Sequence, residues 1–307
     1  MSKKLSWSLV IGLAVLTTFV FASSFPNSTA QAQKALTGDW TATLGKEGSA
    51  RLNLNFERHD ERGRRNQMNE TFDFSDLQGL SREQVNSGGA VRFSLVREAG
   101  TIECEGSFQN GKGSGTFRFT GNQNFVSAMK SRGFDFDEDF TRNSGHEPED
   151  RLFAAATLNV TTALADDLSS AGFGKLHVDD LFKAAIFKVD SKFMREMKAS
   201  GFPDLGMEDL VKARIFKIDA QFASEVAQMG FAKEPFENLV KMRIFKITPQ
   251  SITEARNEGL TDLSIEDLVK MHIFKIDTDF IRQAKAEGVP LEVERLVERR
   301  LRVGRIR

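Results

Sequence analysis

The chain has 307 residues, with 42 basic and 43 acidic side chains and a formal net charge of −1. Its length admits about two ordinary domains, and the even charge excludes a general nucleic-acid binder, which needs a clear cationic excess to neutralise phosphates. One cysteine and four histidines exclude an intrachain disulfide framework and any multi-cysteine metal site.

Lys3 and Lys4 precede an apolar run from Leu5 to Ala22. A basic start, an apolar stretch and small residues read as a secretory signal over 1–32, with cleavage after Ala22 or after Ala32. The alternative is an uncleaved N-terminal membrane anchor, because the run approaches the ~18 residues that span a bilayer. Either reading puts the rest outside the cytoplasm, periplasmic or secreted, with no membrane span after signal cleavage. The lone Cys104 suits an oxidising compartment.

From Leu36 to about Thr120 the apolar period is two. Trp40, Ala42 and Leu44 alternate with threonines; Leu52, Leu54 and Phe56 alternate with polar residues. Phe72 and Phe74 follow, then Val91, Phe93 and Leu95, then Ile102, Cys104 and Phe108, and finally Phe117 and Phe119. Such alternation predicts strands with one face buried and one wet. Gly63, Ser87-Gly88-Gly89, Ala99-Gly100 and Asn110-Gly111 mark the turns. The expectation over 36–120 is an antiparallel, six-stranded meander with Cys104 as a small buried hydrophobe. A curled sheet with Trp40 near its start also admits a lipocalin-like pocket.

The second half repeats itself every 29 residues. Ile186-Phe187-Lys188-Val189-Asp190 returns as Ile215-Phe216-Lys217-Ile218-Asp219, Ile244-Phe245-Lys246-Ile247-Thr248 and Ile273-Phe274-Lys275-Ile276-Asp277. Gly172, Gly201, Gly230, Gly259 and Gly288 keep step, and a degenerate copy starts at Thr157. Asp190, Asp219, Thr248, Asp277 and Thr161 stand where an N-cap accepts backbone N–H groups, and each stepped glycine stands where a left-handed C-cap is wanted. Each unit therefore reads as two short helices. Helices of ~10 residues are marginal alone, so the units must stack. The fold class expected is α+β: the β domain, then an α-solenoid over 122–290 with six repeats, the first interrupted by an acidic insertion near 135–149. A basic cap and tail follow over 291–307.

Two lysine ladders follow the period. Lys183, Lys212, Lys241 and Lys270 each have an acid four residues earlier (Asp179, Glu208, Glu237, Glu266), which reads as i,i+4 helix support. Lys188, Lys217, Lys246 and Lys275 have none and form the candidate partner-binding ladder. Asp135 to Phe140 alternates acids faintly like a calcium loop, yet Phe140 and His146 occupy the places of its glycine and final glutamate. His177 reads as a capping neighbour and His272 as a helix C-terminal cation. No nucleophile elbow, phosphate loop or dinucleotide fingerprint is present, so catalytic residues, cofactor and metal are all expected to be none.

Gly89-Ala90-Val91-Arg92-Phe93, Arg97-Glu98-Ala99-Gly100-Thr101 and Gly111 to Phe119, with the glycine-punctuated helical repeats, carry a resemblance. Over roughly residues 36–290 the chain resembles the extracytoplasmic C-terminal region of bacterial antirepressor-type membrane metallopeptidases, which are related to beta-lactam sensors. The zinc motif His-Glu-x-x-His and the membrane helices of that family are missing, so the resemblance does not carry peptidase activity. It implies an exported bacterial sensing or interaction module. The expected function is a non-enzymatic scaffold that binds a protein or envelope component, and no nucleic acid, through its helical-repeat surface. The alternative is a carrier that binds a small apolar ligand in the β domain.

Overall fold

The computed structural model describes residues 35–45, 50–59, 65–136, 148–172 and 174–304. The signal reading over 1–32, His146 and most of the acidic insertion lie outside the described residues. Those described belong to one compact unit, Lys34–Arg307.

Strands β1 (Leu36–Leu44), β2 (Arg51–His59), β3 (Arg65–Asp73), β4 (Leu77–Gln78), β5 (Gly89–Arg97), β6 (Gly100–Gln109) and β7 (Lys112–Gly121) form one antiparallel sheet, ordered β3-β2-β1-β7-β6-β5-β4. The sheet is curled and open. It has seven strands rather than the expected six, because the segment after Phe74 contributes β4 before helix α1 (Arg82–Ser87). Two residues are too few to show an alternation. Nor is the sheet a single meander: β1–β3 and β4–β7 are two meanders joined where β7 pairs with β1.

The predicted alternation sorts the faces. Trp40, Leu54, Phe56, Phe93, Ile102, Cys104, Phe108, Phe117 and Phe119 are buried on one side. Trp40 lies over Gly106 and Gly115, which face each other across β6 and β7, and its Nε1–H donates to the Glu105 carbonyl at 3.2 Å. A Cβ on Gly115 would stand 1.9 Å from that same carbonyl oxygen, so only glycine admits the approach. Asn110 and Gly111 have φ of 52° and 72°, as a tight hairpin turn requires.

Twelve more helices follow in two rows among the described residues. The first row holds α2 (Gln123–Lys130), α4 (Thr162–Ser170), α6 (Ser191–Ala199), α8 (Ala220–Gln228), α10 (Pro249–Asn257) and α12 (Thr278–Ala286). The second holds α3 (Pro148–Thr157), α5 (Val178–Phe187), α7 (Met207–Phe216), α9 (Phe236–Ile244), α11 (Ile265–Ile273) and α13 (Val293–Gly304). From α5 onward each second-row helix packs on the next. None is long and apolar enough to cross a membrane.

The elbow from second to first row repeats in detail. Lys188 and Lys217 have left-handed φ,ψ of 56°,43° and 55°,46°, and Lys246 and Lys275 have φ of 51° and 52°. The next residue reaches back: Val189, Ile218, Ile247 and Ile276 donate to the carbonyls of Ala184, Ala213, Met242 and Met271 at 2.7–3.0 Å. This closes each second-row helix as a Schellman turn with a buried apolar residue just past it. Asp190, Asp219, Thr248 and Asp277 then cap the following helix, accepting the N–H three residues on at 2.7–3.1 Å. Asn159 and Thr161 make the degenerate first copy of the same elbow, with Asn159 at φ 55°.

Helix α3 joins the helices to the sheet. Phe153 stacks on Phe117 at 5.2 Å and meets Phe56 and Phe119 edge-on. Beside the rings, Arg58 of β2 pairs with Asp150 at 2.5 Å, with both side chains largely shielded from water.

Candidate functional site

The structure separates the two lysine ladders. Lys183, Lys212, Lys241 and Lys270 do not pair with the acid four residues before them. Each reaches the next unit: Lys183 to Glu208, Lys212 to Glu237 at 2.6 Å, Lys241 to Glu266 and Lys270 to Glu294. Arg151 begins the series by meeting Asp179 at 3.3 Å. Hydrogen bonds from Lys183 to Glu208 and from Lys270 to Glu294 raise both lysine pKa values above the ordinary range. This ladder clamps one unit to the next.

Lys188, Lys217, Lys246 and Lys275 form no salt bridge with any described carboxylate. Their backbones are structural and their side chains are exposed. The Lys217 carbonyl accepts a bond from Arg243 Nη2 at 2.8 Å, and the Lys275 carbonyl accepts one from Arg300. Sequence reasoning missed their neighbours. Ile186, Ile215, Ile244 and Ile273, each two residues before a ladder lysine, are 50%, 53%, 49% and 53% exposed. Among the described residues the exposed large hydrophobics are these four plus Val96 and Leu301, so most of them recur at one repeat position. Scattered exposed apolar side chains need no explanation, whereas a periodic row does.

Grooves lie between units behind these turns, and two side chains decide whether each is filled. The guanidinium of Arg214 lies 3.8 Å from the centre of the Phe193 ring, and Arg243 lies 3.6 Å from Phe222. At the end of the array Arg300 covers Phe280 at 3.9 Å. Where Ala185 and Leu164 take these places a concavity of about 270 Å³ remains; where His272 and Ser251 take them it is about 530 Å³. Ser251 faces its own cap, with its Oγ accepting from the Thr248 N–H at 3.1 Å. The His272 ring meets Phe245 edge-on at 5.7 Å, in the last turn of α11.

On the apolar face of the sheet Trp40 contacts the rings of Phe93 and Phe108 at 5.3 and 5.6 Å. The concavity of about 700 Å³ on the sheet lies against the polar face and is lined by Asp39, Arg92, Glu103, Glu105 and Arg118 among others. A smaller cleft of about 300 Å³ opens between sheet and helices, floored by Phe56, Met68, Phe117, Phe153 and Phe182. Cys104 is buried, which pushes its thiol pKa up and keeps it protonated. His177 begins α5, where its N–H donates to Asp180 at 2.8 Å. No group of three or more His, Cys, Asp or Glu among the described residues could hold a metal ion.

No protein-family model, curated protein or solved structure matches the chain.

Proposed function

We propose that the protein is an exported, non-enzymatic bacterial scaffold whose helix pairs act as an α-solenoid and bind another protein or an envelope component. The observation that carries this reading is the periodic exposed row, four half-exposed isoleucines each followed two residues later by a lysine that pairs with no described carboxylate. A stack of units repeating one apolar and one cationic group presents the same contact several times along its length. The resemblance to the extracytoplasmic region of antirepressor-type membrane metallopeptidases, and the signal-like start, support an envelope setting.

The test replaces Ile215 and Ile244 together by Glu. Both are exposed, so stability should stay within about 0.5 kcal/mol, while capture of partners from an envelope extract of the producing bacterium should fall at least tenfold. Unchanged capture of every partner would remove the row from the argument. A carrier role is favoured by one observation only, the aromatic-floored cleft between sheet and helices; an apolar ligand would then sit there rather than inside the sheet.

A further inference from the structure

We infer that the groove between the Lys246 and Lys275 turns receives an aromatic side chain carried on an acidic, extended segment of a partner protein. This rests on the scaffold reading and names the chemistry that one junction of the array recognises.

The protein itself shows what fits there. At the preceding two junctions the corresponding space holds a phenylalanine ring under a guanidinium, Phe193 with Arg214 and Phe222 with Arg243. The 29-residue register puts Ser251 and His272 at those two places in this junction, and both fillers are lost at once. What remains is a groove of about 530 Å³ over Ala255, Leu268, Met271, Ile276 and Ile281. An aromatic ring entering it would bury its faces on this apolar floor and stack beside the imidazole.

The rim sets the charge of the partner. Lys246 and Lys275 line the groove and pair with no described carboxylate. The two acids that also line it are engaged: Asp277 accepts the Phe280 N–H at 2.9 Å, and Glu254 accepts from Gln250 Nε2 at 2.8 Å. Both acids keep their charge, but Asp277 is offset by the positive end of α12, which it caps, and Glu254 is held by Gln250. The two ammonium groups have no described carboxylate beside them, and carboxylates flanking the aromatic residue would supply one. Successive packed helices are spaced ~8–10 Å, and an extended chain covers that distance in about three residues. One aromatic residue with acids on either side therefore spans the junction.

The probe is a fluorescently labelled decapeptide with one central phenylalanine among aspartates and glutamates, titrated into the full chain. It should bind, and replacing its phenylalanine by alanine, or its acids by lysines, should weaken binding at least tenfold. The double variant Ser251→Phe, His272→Arg restores the filler found at the neighbouring junctions and should abolish binding, as should Lys246→Glu with Lys275→Glu. Methyl NMR of the wild-type protein gives a readout independent of any variant: peptide-induced shifts should centre on Met271, Ile276 and Ile281. Equal binding of the alanine peptide, shifts centred elsewhere, full binding by the folded double variant, or binding to anionic vesicles with none to the peptide would each overturn the inference. If Ile215→Glu with Ile244→Glu abolishes partner capture while the filled variant captures normally, this inference fails and the scaffold reading stands.

Discussion

Replacing Lys217 by glycine should make the protein more stable and a poorer binder. Lys217 sits at φ 55°, ψ 46°, in the left-handed region, at the C-terminus of α7. There an L-residue costs roughly 1–2 kcal/mol through contact of its Cβ with the following carbonyl. Glycine removes that strain but loses about 0.5–1 kcal/mol of extra chain freedom on folding. The expected net gain is about 0.5–1 kcal/mol, since the bonds from Ile218 to Ala213 and from Arg243 to the Lys217 carbonyl use backbone atoms that glycine keeps. Urea denaturation monitored by circular dichroism reads this as a higher midpoint at unchanged slope. Lys217→Val should move the midpoint the other way, because a β-branched residue tolerates this conformation poorly. A loss of more than about 0.5 kcal/mol in Lys217→Gly would refute the reasoning, since it would mean that the lysine side chain itself stabilises the turn. If the gain is seen, four turns keep lysine at the expense of stability, as a binding ladder would require.

Other consequences follow from particular contacts. Gly115→Ala places a Cβ 1.9 Å from the Glu105 carbonyl oxygen and should separate β6 from β7, losing more than about 3 kcal/mol or yielding insoluble protein on expression. Trp40→Phe keeps a ring over the two glycines but removes the Nε1–H bond to Glu105, and should lower stability by about 1 kcal/mol in the same denaturation assay. Lys183, its pKa raised by Glu208, contributes fully below the unfolded lysine value of ~10.4, and the contribution fades as pH rises through the higher folded value. Lys183→Met should remove that alkaline loss at a penalty well under about 1 kcal/mol near neutrality, because solvent screens the pair. Asp167, its pKa lowered first by the hydroxyl and then by the N–H of Ser191, contributes above ~3.9, and this is lost as pH falls through the lower folded value. Asp167→Asn should flatten the acid limb of a stability–pH curve, and an unchanged limb would dismiss the contact.

Parts of the candidate site were visible as spacing. The ladder at Lys188, Lys217, Lys246 and Lys275 follows from the period alone, as do the caps at Asp190, Asp219 and Asp277. The exposure of Ile186 and its three repeats did not follow, because an isoleucine in a helical pattern is read as core. The open groove was hidden by a one-residue slide: Ile252 satisfies the apolar pattern of α10, which conceals that the strict register position holds Ser251. A left-handed lysine is equally hard to foresee, since that conformation favours glycine; Gly201 and Gly230 mark the left-handed positions after the first-row helices, and no glycine marks those in the Ile-Phe-Lys-Ile turns after the second.

By itself the sequence determined most of the strands and helices, β4 and α1 excepted, because alternation, helical spacing and caps act over a few residues of chain. The repeat length was likewise set before any folding. Only the tertiary structure decided which charges meet. Lys212 lies four residues after Glu208 and one unit before Glu237, and helix geometry allows the first pairing; the stacking of α7 on α9 brings Glu237 nearer. The sheet order was decided in the same way. β1 and β7 lie at opposite ends of the β segment, yet they pair antiparallel at the centre of the sheet, where Trp40 and Phe117 are buried on one face.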